Sequence, residues 1–155
     1  MESSINTIQI DFDVTINAPI SNVWDCLIKD ISLWWRKDFY TSEKTKSFVL
    51  EPFVGGRMYE DYGNQNGLLW ATVLVLDAPN TLELKGHLTP QWGGPAISFM
   101  KISLSKNEDF TILRLSETTM GKVSENSKKQ LEDGWKMIYQ DALKKYVEQN
   151  HLISD

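Results

Sequence analysis

Ile8, Ile10, Phe12, Val14 and Ile16 alternate with Gln9, Asp11, Asp13 and Thr15. A period of two over residues 8–16 predicts a strand with one buried face. The period changes after Asn17-Ala18-Pro19. Ile20, Val23, Trp24 and Leu27 then fall at i, i+3, i+4 and i+7, the stripe of an amphipathic helix running to about Lys29. Pro19 suits the first turn of that helix, because its missing N–H would be unpaired there, and Asn17 or Ala18 would cap it. Residues 30–35, ending in Trp34-Trp35, predict a second short helix packed beside the first.

From Lys46 onward the pattern is that of strands. Residues 48–50 form a short one that Pro52 ends. Residues 57–62 follow Gly55-Gly56, and the sequence GNQNG at 63–67 is a hairpin turn. Residues 68–76 are continuously apolar and rich in leucine and valine, predicting a strand. Asp77-Ala78-Pro79-Asn80 turns the chain into a strand at 81–87, and PQWGGP at 90–95 is an irregular loop centred on Trp92. Residues 97–104 and 110–119 pair across a turn at 105–109. Short turns between successive strands imply an antiparallel meander.

Gly121 closes the sheet, and a long helix follows. Ser127-Lys128-Lys129-Gln130 has the spacing of a capping box, with Ser124 a competing cap. Leu131, Trp135, Ile138, Ala142 and Tyr146 recur at steps of three and four, and Tyr139, Leu143 and Val147 widen the stripe. About 25 helical residues would span about 37 Å, enough to cross a sheet. Gly134 costs such a helix about 1 kcal/mol relative to alanine, so a close approach to a strand or loop is expected there. The order strand, two helices, six strands, long helix is α+β, a sheet curved over its final helix with room for a ligand. No repeat or linker divides residues 1–155, which read as a single domain with its core at about 8–149.

Composition narrows the partners. With 155 residues, 41% hydrophobic and 24% charged, the chain is globular rather than disordered. A net charge of −5 argues against a duplex-binding surface, which needs clustered Lys and Arg. Cys26 is the only cysteine, so no internal disulfide forms and a reducing compartment is the simplest expectation. No signal-peptide pattern and no run approaching the length of a membrane span is present. The expected location is the cytoplasm.

Four motifs together resemble the START-like superfamily, also called Bet v 1-like, helix-grip or SRPBCC. They are Ala18-Pro19 with Val23-Trp24, then Trp34-Trp35, then Glu51-Pro52 with Gly55-Gly56-Arg57, and Gly134-Trp135. Within it the chain is most similar to the group related to the C-terminal domain of the Hsp90 ATPase activator. The resemblance covers roughly residues 8–149. It implies a helix-grip fold, a seven-stranded antiparallel sheet gripping the C-terminal helix with a cavity between them. It also implies a role like that of relatives, which bind lipids, hormones, polyketides or other apolar molecules, while some are cyclases. Asp77-Ala78-Pro79 stands where relatives often carry a double proline, and Gly86-His87 where an aromatic often ends the fifth strand. The activator engages its chaperone through a separate N-terminal domain for which this length leaves no room, so a chaperone role is not carried over.

Each candidate residue has an ordinary reading beside the functional one. Trp34 and Trp35 are adjacent on a helix, so at most one faces a pocket, and core packing is the commoner outcome. Gly55-Gly56-Arg57 lacks the features of a phosphate loop. Its glycines supply a turn or bulge, and Arg57 is a surface residue paired with a carboxylate. If Leu113 and Leu115 face the helix, Glu117 and Thr119 do too. An inward Glu117 would have a raised pKa and could orient a ligand or act as a base, although glutamates near strand ends are usually solvated. Met58, Glu60 and Tyr62 share one strand face and Arg57, Tyr59 and Asp61 the other; pattern alone does not say which is internal. His87 ends a strand beside the Trp92 loop. With His151 and Cys26 it gives no metal-ligand spacing and no nucleophile–base order. Cys26 reads as a small buried residue. Lys128-Lys129 and Lys144-Lys145 read as a solvated face.

Three functions follow in order. The first is a binding protein for a hydrophobic or amphipathic small molecule, with no cofactor, metal or nucleic acid. Its cavity candidates are Trp35, Tyr62, Trp70, His87, Trp92, Met100, Glu117 and Trp135. The second is a cyclase- or hydrolase-like enzyme using Glu117 as base, assisted by Tyr62 or His87. The third is an interaction module or homodimer, suggested by apolar residues on both faces of 68–76.

Overall fold

The structure, a computed structural model, describes residues 4–154 in backbone and the side chains of residues 4–150. The side chain of His151 lies outside the described residues.

Seven strands form one antiparallel sheet in the order β1-β7-β6-β5-β4-β3-β2. They are β1 (Asn6–Ile16), β2 (Ser47–Leu50), β3 (Arg57–Gly63), β4 (Asn66–Asp77), β5 (Thr81–Leu88), β6 (Ala96–Asn107) and β7 (Phe110–Gly121). Two helices, α1 (Ile20–Lys29) and α2 (Ile31–Trp34), follow β1. The C-terminal helix runs as α3 (Glu125–Lys136), a π-helical stretch (Met137–Leu143) and α4 (Lys144–Ser154). This is the helix-grip architecture. β1 reaches β7 across the whole chain, from Asn6 opposite Gly121 to Ile16 opposite Thr111, so the first strand closes the meander.

Alternation decides what the sheet buries. Ile8, Ile10, Val14 and Ile16 of β1 and Leu113, Leu115, Glu117 and Thr119 of β7 all turn inward and are buried. Across them lie Val23, Trp24 and Leu27 of α1, with Ile138, Tyr139, Leu143 and Val147 of the last helix. Leu82, Leu84 and Ile102 complete a continuous core. The groove under most of the helix is therefore filled with side chains.

Several local expectations are corrected. The hairpin between β6 and β7 closes at Glu108-Asp109, with Asn107 opposite Phe110, so both strands extend beyond the expected five-residue turn. Ser124, not Ser127, caps α3: its hydroxyl accepts from the Ser127 amide at 3.2 Å, and the Ser127 hydroxyl accepts from the Ser124 amide at 3.1 Å. Serine at the third position thus does the work expected of Gln130 three residues further on. Pro19 itself occupies the cap of α1, extended at ψ 155° and with no side-chain cap bond, in place of Asn17 or Ala18. The seven π-helical residues had no sequence signal in the three-four stripe.

The glycines fall into two kinds. A Cβ on Gly56 would sit 2.2 Å from the Glu51 carbonyl oxygen, so the turn before β3 requires glycine. Gly134 is different: its Cβ would meet only Phe39, at an ordinary 3.6 Å. No approach close enough to require glycine is found at Gly134, where a Cβ would make an ordinary contact with the Phe39 ring.

Candidate functional site

One end of the groove stays open. There the start of β4, the end of β5, the loop after α2 and the C-terminal half of α3 enclose a cavity of about 240 Å³. Trp70, Trp135, Phe39, Leu68, Leu88 and Leu131 make its apolar walls, with Gly134 between two of them. Thr41, His87, Thr89 and Gln130 are its polar groups, and Trp92 stands at the rim on a single turn of 3-10 helix, 42% exposed. No Asp, Glu, Lys or Arg contributes to the wall. The depressions on the outer face of the last helix and beside the β3–β4 hairpin are lined chiefly by charged and amide side chains.

Trp70 reaches this cavity through a break in the ladder. Met58 lies opposite Ala71 and Tyr59 opposite Leu69, leaving Trp70 as the extra residue of a bulge. A bulge re-aims side chains that strict alternation would place elsewhere, and here the indole lies inward beside Ala71. Its ring meets Trp135 edge to face, with centroids 6.3 Å apart and planes at 62°. Behind it, Trp35 lies 5.6 Å away and Phe48 5.7 Å away, themselves stacked at 3.9 Å.

Each facing tryptophan is tied by its indole N–H to a buried carboxylate. Trp70 Nε1 donates to Glu60 Oε2 at 2.7 Å. Glu60 is fully buried, and its other oxygen accepts from the Thr41 amide at 2.8 Å, the Thr41 hydroxyl at 3.0 Å and the Thr45 hydroxyl at 2.6 Å. Trp135 Nε1 donates to Glu117 Oε1 at 2.8 Å, and the Ser98 hydroxyl also bonds that carboxyl. Glu117 is 4% exposed. Burial pushes its pKa up, against the opposing pull of those two donors.

Of the eight sequence candidates, Trp70, His87, Trp92 and Trp135 stand around the cavity. The other four lie outside its wall. Trp35 is core, 3% exposed, and its Nε1 has no hydrogen-bond partner. Met100 is core, across from Leu84 and Glu117. Tyr62 meets Thr41 through hydroxyls 3.2 Å apart. Glu117 stands behind Trp135, inward as one of its two readings had it, and reaches the cavity only through that ring. Pattern reasoning did not single out Glu60, Thr41, Phe39 or Gly134 as residues of the site. The signal for Glu60 was its period-two relation to Met58, whose burial settles which face of β3 is internal.

His87 is held in place at the cavity, and the candidates away from it take ordinary roles. His87 Nε2 sits 3.0 Å from the Leu69 carbonyl, which can only accept, so the ring holds a proton on that nitrogen. Arg57 forms a two-pronged pair with Glu51 at 2.8 Å and lies over Tyr59 at 4.6 Å. Cys26 is buried, and burial pushes its thiol up to about 11, with Asp30 and Asp25 adding to the effect. Trp34 is core and bonds the Cys26 carbonyl at 2.8 Å. Among the described residues no cluster of His, Cys, Asp and Glu could hold a metal, and no helix is long and apolar enough to cross a membrane.

Residues 17–148 match the model of the family described as Activator of Hsp90 ATPase homolog 1-like protein. No curated protein sequence matches the chain. Among solved structures, the Mll3558 protein from Rhizobium loti superposes with a TM-score of 0.70 at 19% identity, over 90% of this chain and 96% of that one. Ara h 8.0201 gives 0.70 at 12% identity, over 92% and 98%. CalU16 from Micromonospora echinospora gives 0.65 at 18% identity, over 94% and 83%. At such identities these likenesses establish the fold.

Proposed function

The chain belongs to the Activator of Hsp90 ATPase homolog 1-like family, and from that premise we propose that it binds an uncharged, apolar or amphipathic small molecule. The site is the cavity between β4, β5 and α3. The observation that carries the reading is an aromatic, charge-free cavity, lined in part by Gly134, in an otherwise filled groove. Binding sites of this kind combine apolar walls with a few polar groups that fix orientation. Here the occupant's apolar body would lie between Trp70, Trp135 and Phe39, with a hydroxyl or carbonyl directed to Gln130, or a hydroxyl donating to the free ring nitrogen of His87. The absence of charge from the wall disfavours a carboxylate or phosphate ligand, which would lose its hydration without a counter-charge.

A cyclase- or hydrolase-like activity has weaker support. Glu117, the base that reading needs, is spent on Trp135 and Ser98 and does not reach the cavity. The occupant would be carried or sensed, not turned over.

The test is a fluorescence titration with N-phenyl-1-naphthylamine, a neutral apolar dye. The wild-type protein should bind it with saturation at one site, and Gly134→Leu should weaken binding at least about tenfold by filling the cavity. That substitution should leave the fold intact, since leucine is the better helix former by roughly 0.8 kcal/mol. Equal binding by the two proteins would place the dye elsewhere and remove the support for this site.

A further inference from the structure

Two carboxylates stand behind the cavity, one on each side, and neither lines it. Glu60 serves the sheet side. Through Trp70 it fixes one aromatic wall, and through the amide and hydroxyl of Thr41 it fixes the loop that carries Thr41 and Phe39 to the mouth. Glu117 serves the helix side, where it holds Trp135. The two rings held in this way are the pair that meet edge to face.

Burying a carboxyl is expensive unless its oxygens are satisfied, so two in one small core need an explanation. Core packing alone would be met at lower cost by apolar side chains of similar size. What a carboxylate adds is direction. A charge-assisted bond to an indole N–H fixes the ring's rotation, which packing against smooth aromatic faces leaves loosely determined. The bulge at Trp70 makes such fixing necessary, since a bulged residue lacks the ladder's own constraint on side-chain direction. Gly134 adds to the need on the other side, because beside Trp135 it offers no side chain to brace the ring.

We propose that Glu60 and Glu117 are positioning residues of the binding site, each holding one tryptophan wall by its indole N–H so that the cavity is preformed before the occupant arrives. This rests on the binding function proposed above. Preformed walls spare the ordering cost that two mobile indoles would impose on each binding event. The affinity of the site then depends on two side chains that the occupant never touches.

The test compares Glu117→Leu with Glu117→Gln, and adds Glu60→Gln as a second variant. Glutamine keeps an oxygen that can accept the indole proton, whereas leucine fills the space without an acceptor. Two quantities are read in each folded protein: hydrogen exchange at the indole N–H groups and the affinity for N-phenyl-1-naphthylamine. In Glu117→Leu, exchange at Trp135 should accelerate about tenfold or more, with Trp34, bonded to the Cys26 carbonyl, unchanged. Dye affinity should fall by a similar factor, and Glu117→Gln should retain most of both properties. Glu60 accepts on both oxygens, from Trp70 on one and from Thr41 and Thr45 on the other, and glutamine has only one accepting oxygen, so Glu60→Gln should speed exchange at Trp70 and spare Trp135. Unchanged exchange at Trp135 in Glu117→Leu would overturn the proposal, as would full dye affinity despite faster exchange. If the wild-type protein takes up no dye, the binding function falls, while the exchange rates still decide whether the carboxylates hold the rings.

Discussion

Glu117 and Glu51 are carboxyls with opposite pH behaviour. Burial raises the Glu117 pKa, so in the window between its unfolded and folded values the native state retains a proton that the unfolded chain has lost. Stability therefore falls as pH rises through that window, and the penalty persists above it. Glu51 has the reverse sign. Arg57, beside it with both side-chain and backbone donors, holds it down to about 2, so its contribution is present above the unfolded pKa and is lost as pH falls toward 2. The pair is exposed to solvent and screened, so its effect should be small. Urea unfolding between about pH 4 and about pH 8 should show a decline in wild-type stability with rising pH that Glu117→Gln lacks. Parallel pH profiles for the two proteins would mean that Glu117 has no raised pKa in the folded state.

At the scale of elements, the last helix holds two features of opposite cost. Its cap is strong: the reciprocal Ser124–Ser127 bonds satisfy amides that otherwise lack partners. Ser124→Ala should cost about 1 kcal/mol. Its weak point is Gly134, where a methyl would fit against Phe39. Gly134→Ala should gain roughly 0.8–1 kcal/mol, raising the melting temperature by a few degrees for a chain of this size. Calorimetry of the two variants checks both signs, and a destabilised Gly134→Ala would show that the helix needs glycine for packing after all. The glycine was legible in the sequence as an expense, but its purpose was not, because only the neighbouring loop shows whether space there is filled or open. The same limit explains the bulge. Trp70 sits in a uniformly apolar stretch whose pattern carries no period, and the extra residue shows only in the pairing with Tyr59 and Met58. By contrast, β1 and β7 alternate cleanly, so the inward turn of Glu117 could be stated as a condition on Leu113 and Leu115. Both are fully buried, and Glu117 follows them.

Across the whole molecule, the core is packed under α1 and the later part of the last helix, and space is concentrated where α3 crosses the ends of β4 and β5. The family motifs mark this division. Trp34 and Trp35 are core, whereas Gly134 and Trp135 frame the cavity. Exposed apolar residues also lie on the outer sheet face, among them Ile97, Phe99 and Met120 on β6 and β7. The six tryptophans give each region its own reporter. The most direct measurement is therefore the set of indole N–H resonances in a titration with N-phenyl-1-naphthylamine. Signals of Trp70, Trp92 and Trp135 should move and saturate together, while Trp24 and Trp34, buried in the filled core, stay in place. Shifts confined to the core tryptophans, or no shift at the cavity three despite bound dye, would contradict the account.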